Sequence, residues 1–302
     1  MDELTSEFDV PLADGARWTH FRCEADLAEP LADAADLDAT VAEALVANAA
    51  RPRFTRFGDG FVLVLRGVNM NRGADPEDMI AVRVWIEPKR AVSAVVRHVF
   101  AVGDVHRMQE AGEVADSCAL IAELAQAIER RIYPVVDELD DGVDDLQERI
   151  LRGDLGELPQ RLGELRRMVT MLRRHLAPQR DALSRMLREL PSWFAAEAAA
   201  DLREVADRSA RHVEVLDSVR ERAAVVQDQL DHHVSVRLNR NMYVMSVIAA
   251  VFLPLSFVTG LLGVNVAGIP GSSEAASFWI LVAGLVALTA LELWLLRRFR
   301  VV

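Results

Sequence analysis

The chain has 302 residues, of which 34 are basic and 46 acidic, so its net charge is −12 at pH 7. Five Arg and two Glu lie from Arg237 onward, a net charge of +3, which leaves −15 for residues 1–236. Proteins bind nucleic-acid phosphates through clustered Lys and Arg, so the composition argues against a nucleic-acid partner. The two cysteines, Cys23 and Cys118, have no metal-site or disulfide spacing and are expected to be buried thiols.

Residues 1–115 carry the signals of a mixed helix and strand domain. Apolar alternation, β-branched runs and an Ala/Leu-rich segment predict strands at 17–24, 79–87 and 91–99 and a helix at 28–48. Two further apolar runs flank Asp59-Gly60, which is a strong hairpin signal. We expect an α+β domain in which helices cover a largely antiparallel sheet.

Residues 116–236 are expected to form a stalk of long helices. Apolar residues recur every three or four positions in the segments 116–152, 157–190 and 193 onward, with breaks at Gly153–Gly156 and at Pro191. Pro134 and Pro178 are expected to kink or interrupt two of these helices. Neither Gly nor Pro occurs between Pro191 and Pro254, so one helix of roughly 60 residues, about 90 Å long, is predicted to run into a membrane.

The last of these helices carries an apolar stripe before it reaches the predicted membrane segment. The stripe consists of Leu202, Val205, Val213, Leu216, Val219, Val226, Leu230 and Val234. We favour packing against helices of the same chain, and a subunit interface is the alternative.

The C-terminal residues 237–302 predict a membrane hairpin. Met242 to Val264 contains no charged residue and is longer than the roughly 20 residues that a helix needs to cross a bilayer. A second apolar run follows from Ala275 to Leu296, with one acid, Glu292. The predicted parts are a first span at 242–263, an outer loop at 264–274 and a second span at 275–296. Arg residues flank both spans on the sides away from the loop, so both termini are expected in the cytoplasm.

One face of the first span is suited to lining a pore. At about 100° per residue, seven small, soft or hydroxyl-bearing positions fall within an arc of about 80°. This predicted pore face consists of Met242, Met245, Ala249, Leu253, Ser256, Gly260 and Gly263. The second span is apolar nearly all round, with Trp279 and Trp294 near its ends. Because two helices cannot enclose a pore, we expect several copies to form an inner ring of first spans and an outer ring of second spans.

The junction of the two spans carries a family motif. Gly263-Val264-Asn265 follows the segment FLPLSFVTG at 252–260, and the loop continues as a Gly-rich segment to Gly271. Together with RPRFTRFGDG at 51–60 and MLRRHLAPQRD at 171–181, these residues resemble the CorA superfamily of divalent-cation transporters, and most closely its zinc-transporter branch, ZntB. The resemblance extends from about Arg51 to the C-terminus.

The resemblance implies a homopentamer in the inner (plasma) membrane of a bacterium, with a cytoplasmic funnel of long helices and a selectivity loop of Gly263, Val264 and Asn265. It implies Zn²⁺ uptake coupled to protons. The resemblance assigns no residue to this coupling, and the candidates that the sequence offers are His232, His233, Glu274 and Glu292. A ring of Asn265 amides would bind the cation through its water shell. No resident cofactor is implied, because the cation is cargo. A Mg²⁺ or Co²⁺ channel of the CorA type is the alternative.

Several of these residues also have simpler interpretations. Met242, Met245 and Leu253 could form apolar constrictions of the pore or only pack between helices, and Ser256 could bind hydrating water. Glu274 could attract cations to the entrance, although a solvated loop acid is the simpler view. Asp228 and His232 have the i, i+4 spacing of a metal site.

An acidic segment, Asp137 to Glu148, offers either regulatory metal ligands or a solvated helix face. We expect no enzyme, because the chain shows no P-loop, GxSxG, HExxH or dinucleotide fingerprint. A membrane-anchored scaffold or sensor is the more distant alternative to a transporter. A scaffold would need only the hairpin and the stalk.

Overall fold

The computed structural model describes residues 4–23, 27–47, 51–263 and 276–298. Within these ranges the chain forms six strands and seven helices. The strands are β1 (Leu4–Pro11), β2 (Arg17–Cys23), β3 (Arg53–Phe57), β4 (Gly60–Gly67), β5 (Ile80–Glu87) and β6 (Arg90–Val95). The helices are α1 (Ala28–Ala35), α2 (Ala39–Val46), α3 (Phe100–Glu110), α4 (Ser117–Arg152), α5 (Leu158–Arg188), α6 (Ala196–Leu262) and α7 (Ala276–Arg298).

The chain divides into two compact units, Met1–Asp228 and Gln229–Val302. The first unit contains the six strands, the helices α1 to α5 and the first part of α6. The second unit contains the remainder of α6 and all of α7.

The six strands form one sheet in the order β1-β2-β6-β5-β4-β3. Every neighbouring pair is antiparallel except β2 and β6, which are parallel, so the predicted largely antiparallel sheet is confirmed. The predicted hairpin is also confirmed, since β3 and β4 pair from Phe57 opposite Gly60. Gly58 in the turn has φ +57°, a conformation that favours glycine. Strand β1 was not predicted.

Alternation along the central strands divides the apolar side chains between the two faces of the sheet. Val62 and Val64 of β4 belong to a core with α1 and α2, which also contains Leu31 and Leu45. Their neighbours on β4 point to the other face, where the larger core includes residues of α3 to α6. Both faces are covered, which explains why β4 and β5 are apolar at almost every position.

The single helix predicted at 28–48 is wrong, because α1 and α2 are separate. Asp36 has φ 48° and ends α1 in the left-handed region. The side chain of Asp38 then accepts a hydrogen bond from Thr40 N at 2.8 Å and caps α2. The strand predicted at 91–99 is also too long, since β6 ends at Val95 and α3 begins at Phe100.

The stalk helices run through their prolines. α4 begins at the capping residue Asp116 and ends at Gly153, which has φ 76°. Pro134 lies inside α4 and Pro178 inside α5, so neither proline interrupts its helix, and the kink that was the other predicted outcome stays a prediction. Each proline loses one backbone hydrogen bond, but buried residues within two positions, such as Ile132 and Leu176, hold both helices in the core.

The stripe on α6 packs within the chain over most of its length. Seven of its eight members are buried, and Val234 is the exception at 49% exposed. Leu216 and Val219 are fully buried in the same core as α4 and α5 residues. This confirms the favoured intramolecular interpretation for that part of α6. Cys23 and Cys118 are buried and are not joined in a disulfide, as predicted.

Candidate functional site: an ion path along α6

The helix α6 continues past Pro254 to Leu262, so the helical spacing on which the pore face was predicted is present. All seven residues of the predicted pore face are exposed on the single chain. Among its large apolar side chains, Leu253 is 69% exposed and Met245 is 68% exposed. Neighbouring apolar residues such as Phe257 are equally exposed. Exposure therefore shows that this segment of α6 is apolar and uncovered in the single chain. It does not distinguish the pore face from the other faces, which were separated by residue type.

Polar side chains in this segment bond to the helix itself. The Thr259 hydroxyl lies 3.0 Å from the Leu255 carbonyl oxygen and 3.2 Å from that of Ser256, to which it can donate. The Ser246 hydroxyl donates to the Met242 carbonyl at 2.9 Å. Such bonds back to the preceding turn satisfy hydroxyl groups where water is absent. They allow polar residues in a helix that crosses lipid.

Gly263 ends the helix. Its N–H donates to the Thr259 carbonyl at 2.9 Å, and a Cβ at this position would lie 3.1 Å from the same oxygen. The tight approach favours glycine as the first residue of the predicted selectivity loop. The other two members, Val264 and Asn265, lie outside the described residues, as does Glu274, and their roles stay predictions.

One described helix, α6, is long and apolar enough to cross a membrane. In α7 the described apolar stretch, Phe278–Glu292, is shorter. Phe278, Trp279 and Trp294 on this helix are all more than half exposed. The predicted second span therefore coincides with a helix that presents large apolar side chains to its surroundings.

The two candidate metal ligands before the span are exposed. Asp228 and His232 both lie on α6, and the ring centroids of His232 and His233 are 6.4 Å apart. In the described part of the chain no group of three or more His, Cys, Asp or Glu side chains could hold a metal ion. The metal role of Asp228 and His232 remains a prediction.

The acidic segment of α4 is partly neutralised within the chain. Arg222 of α6 pairs with Asp144, at 2.5 Å, and with Asp140. Asp145 lies 3.7 Å from Arg161 of α5. These ion pairs join three helices, so the acidic residues involved have a structural partner in addition to solvent.

Sequence reasoning missed a buried polar network between the stalk helices. Gln179 of α5 accepts a hydrogen bond from Arg66 N at 2.7 Å and donates to Glu129 of α4 at 3.3 Å. The other Glu129 carboxylate oxygen lies 2.8 Å from Nδ1 of His212 on α6. Both residues border a cavity of about 460 Å³. The only sequence signal was an acid, Glu129, among buried apolar positions of α4.

Comparison with known proteins identifies the family. The model of the family described as "CorA-like Mg2+ transporter protein" matches residues 13–298. The chain belongs to the CorA-like transporter family. The predicted superfamily is therefore confirmed, and so is the expectation that this CorA-like protein is not an enzyme, because the family consists of transporters.

Relatives of this CorA-like protein carry two kinds of name. The divalent cation transporter CmaX of Pseudomonas aeruginosa is 37% identical over 273 residues, which is 89% of this chain and 82% of the relative. The zinc transport protein ZntB of Pectobacterium carotovorum is 34% identical over 262 residues, 86% of this chain and 79% of the relative. The chain is thus similar to proteins of both names.

Solved structures agree with the fold. The structure of the full-length CmaX protein has a TM-score of 0.80 and 34% identity, and it covers 96% of this CorA-like chain and 90% of that one. The CorA magnesium transporter of Methanocaldococcus jannaschii has a TM-score of 0.78 at 16% identity, and the match covers 99% of this chain and 93% of that one. The second likeness shows the fold alone.

Proposed function

We propose that this protein transports divalent metal cations, Zn²⁺ first among them, across the inner (plasma) membrane of a bacterium. The observation that carries the proposal is the family match, which extends over the stalk, the uncharged end of α6 and α7. The exposed apolar surface of α6 supports it, because a surface of this kind needs lipid or other subunits around it.

The proposed arrangement is a homopentamer with its soluble parts in the cytoplasm. Residues 1–115 form the α+β domain, 116–236 the funnel stalk and 237–302 the membrane hairpin. The first span, at 242–263, lines the pore, and the second, at 275–296, faces lipid. Both chain termini lie in the cytoplasm. Several subunits are required, because one hairpin cannot surround an ion.

Cations pass along the pore face of α6 in this proposal. Asn265 amides at the outer mouth hold the ion through its hydration shell, and Glu274 attracts cations to the entrance. Below them Ser256 bonds to hydrating water, and Leu253, Met245 and Met242 form apolar constrictions that gate by dewetting. The pore face contains no His, Cys, Asp or Glu, so it offers no tight zinc site and releases the ion readily.

The similarity to a protein named zinc transport protein supports Zn²⁺. The similar identity to CmaX, named a divalent cation transporter, leaves a CorA-type Mg²⁺ or Co²⁺ channel as the second candidate. Proton coupling, through His232, His233, Glu274 or Glu292, belongs to the zinc proposal. A metal-sensing pair of Asp228 and His232 near the membrane would regulate the flux.

Zinc uptake into liposomes that contain the purified protein tests the proposal. We expect saturable uptake that excess Mg²⁺ does not inhibit, that an inward proton gradient increases and that Asn265→Ala abolishes. Asn239→Ala, the same substitution on α6 outside the loop, serves as the control and should retain uptake. Inhibition by Mg²⁺ would favour the magnesium channel. Background uptake by the wild-type protein would contradict transport and favour a membrane-anchored scaffold.

A further inference from the structure

A small cavity lies at one end of the sheet, where β4 ends and β5 begins. Its volume is about 180 Å³, and it lies within the first unit. The register explains how its walls meet, because Arg66 of β4 lies opposite Ala81 of β5, and Val82 lies opposite Val95 at the end of β6. The lining residues are Arg66, Asp78, Met79, Ile80, Ala81, Arg83, Val96 and Arg97.

Positive charge exceeds negative charge in this cavity. Three of its lining residues are Arg, whereas Asp78 is the only acid among them. Asp78 is paired with Arg97, whose Nη1 lies 2.8 Å from Oδ2, and both side chains are exposed at the rim. No ion pair joins Arg83 to a carboxylate in the described ranges. Arg83 is therefore a lining charge that no described carboxylate pairs with.

Arg83 is the unusual member. It is only 6% exposed, and its Nε, among the described residues, has no hydrogen-bond partner. Its Nη2 donates to the Ala47 carbonyl, but at a long 3.4 Å. A guanidinium carries five N–H donors and keeps its charge at any physiological pH. Burying such a group with so few acceptors is costly unless a further acceptor enters.

Neighbouring groups increase this cost. Burial lowers the pKa of Arg83, and the nearby Arg66 lowers it further. Burial likewise lowers the pKa of Arg66, although Asp78 acts in the opposite direction. The charges of Arg66, Arg174 and Arg51 also add to burial in lowering the pKa of His175 to about 4. Several cationic groups therefore share a poorly solvated region in which an anion would be stabilised.

A structural role for Arg83 accounts for only part of this arrangement. The C-terminus of α2 favours a nearby cation, because its last carbonyls are unpaired. However, Arg53 already occupies that position, with its Nη2 2.9 Å from the Ala44 carbonyl oxygen. The helix end explains neither the unpartnered Nε of Arg83 nor the open cavity that Arg83 shares with Arg97.

We propose that this cavity binds a phosphate-sized oxyanion, either inorganic phosphate or the phosphate of a phosphomonoester. Arg83 holds the anion from the buried side, and Arg97 turns from Asp78 to close over it from the rim. Bonds between a guanidinium and an oxyanion are strong and directional. Asp78 competes with the anion for Arg97 and so weakens binding. The site is separate from the proposed ion path and does not depend on it.

Titration calorimetry of the full-length protein in detergent with inorganic phosphate, at constant ionic strength, tests the proposal. We expect saturable binding of one phosphate per chain. Arg97→Gln, at an exposed position that leaves the core intact, should weaken binding at least about tenfold, the loss expected for one charged hydrogen bond. Arg83→Gln should weaken it at least as much. Asp78→Asn should tighten it severalfold, because the competing carboxylate is removed.

Arg56→Gln is the matched control. Arg56 is exposed on β3 and pairs across to Phe61, at the opposite end of the sheet, so its loss should leave binding unchanged. Thermal unfolding of each variant shows whether Arg83→Gln still folds, and Arg97→Gln and Asp78→Asn test the site without that risk. Titration with glycerol phosphate distinguishes the two candidate ligands. If it binds more tightly than inorganic phosphate, the natural ligand is a phosphomonoester; if it binds more weakly, the ligand is the free ion.

Two results would overturn the proposal. One is the absence of saturable phosphate binding by the wild-type protein. The other is binding that Arg97→Gln and Arg56→Gln weaken equally, since general charge attraction would then explain it.

Discussion

The two halves of α6 are built for different surroundings. In the half that belongs to the first unit, Leu216, Val219 and Val226 are fully buried against helices of the same chain. In the half that belongs to the second unit, the most apolar 18-residue window contains no buried residue. The N-terminal part of α6 therefore packs in the hydrophobic core of the first unit, whereas its C-terminal part exposes a long apolar surface.

This difference shows that apolar residues on a single helix can indicate two different environments. A stripe of apolar residues at helical spacing indicates packing within a protein, whereas an apolar surface on all sides indicates a lipid environment or a subunit contact. Within the first unit, Arg222 also joins α6 to α4 through ion pairs with Asp140 and Asp144. Stability and transport should accordingly respond to different parts of α6.

The largest expected effect on stability comes from truncating a buried leucine of α6. Leu216→Ala removes a fully buried side chain, so it should lower the free energy of unfolding by about 2–5 kcal/mol. Leu261→Ala removes a side chain that is 61% exposed and should change it by less than about 0.5 kcal/mol. Thermal unfolding of both variants in detergent checks this, and equal losses would contradict the division of α6.

Two glycines provide a second comparison. A Cβ at Gly60 would lie 2.4 Å from the Trp85 ring and 2.8 Å from the Ile86 carbonyl oxygen, whereas one at Gly260 would meet nothing within 4 Å. Gly60→Ala should therefore cost about 1–3 kcal/mol through overpacking. Gly260→Ala should leave the stability of the single chain unchanged or slightly raised. Melting temperatures of the two variants measure the difference, and a neutral Gly60→Ala would mean that Trp85 can move aside.

Acid should destabilise the first unit through buried His20. Burial, followed by the charges of Arg22 and His106, lowers the pKa of this side chain to about 3. Between that pH and about 6.5 the unfolded chain binds a proton that the folded chain does not, so stability falls as pH falls, by at most about 1.4 kcal/mol per pH unit. His20→Gln should reduce the slope of unfolding free energy against pH between 6.5 and 4. An unchanged slope would assign the acid sensitivity to other groups.

The smallest effect should come from the ion pairs of the stalk. Arg222→Gln removes two partly exposed pairs with α4 and should cost about 0.2–1 kcal/mol. The cost should decrease in 1 M salt, because exposed charges are screened. Unfolding measured at low and high salt tests this. A larger loss that salt does not reduce would mean that Arg222 acts through packing.

Local signals were sufficient for much of the fold. Asp59-Gly60 predicted the hairpin, and the absence of Gly and Pro from 192 to 253 predicted the long α6. The split between α1 and α2 was missed, although the cap at Asp38 was a readable signal, because an Ala/Leu-rich segment suits one helix or two equally well. Strand β1 was missed because it lies at the edge of the sheet and its apolar alternation is short, with only Phe8 and Val10 alternating with acidic residues.

The buried polar groups could not be predicted, because their partners are distant in sequence. Gln179 is separated by 50 residues from Glu129 and by 113 from Arg66, and only the packing of α4 and α5 against β4 brings the three together. Arg83 similarly lies in an apolar strand, for which the sequence predicted the strand alone. The pore face, in contrast, was predicted from residue type and helical angle alone.

The most direct test of whether the C-terminal part of α6 lines a pore is to introduce single cysteines there and to measure whether a thiol reagent blocks zinc uptake. Ser256→Cys introduces a thiol on the predicted pore face, and Leu255→Cys places one about 100° away at the same depth. The native thiols provide a quiet background, because Cys23 and Cys118 are buried and burial raises the pKa of Cys118 to about 11.

A positively charged thiol reagent is added to liposomes that contain each variant, and zinc uptake is measured before and after. The proposed ion path predicts that the reagent abolishes uptake by Ser256→Cys and leaves uptake by Leu255→Cys and the wild-type protein unchanged. Equal block of both variants, or block of neither, would contradict an ion path along this face of α6.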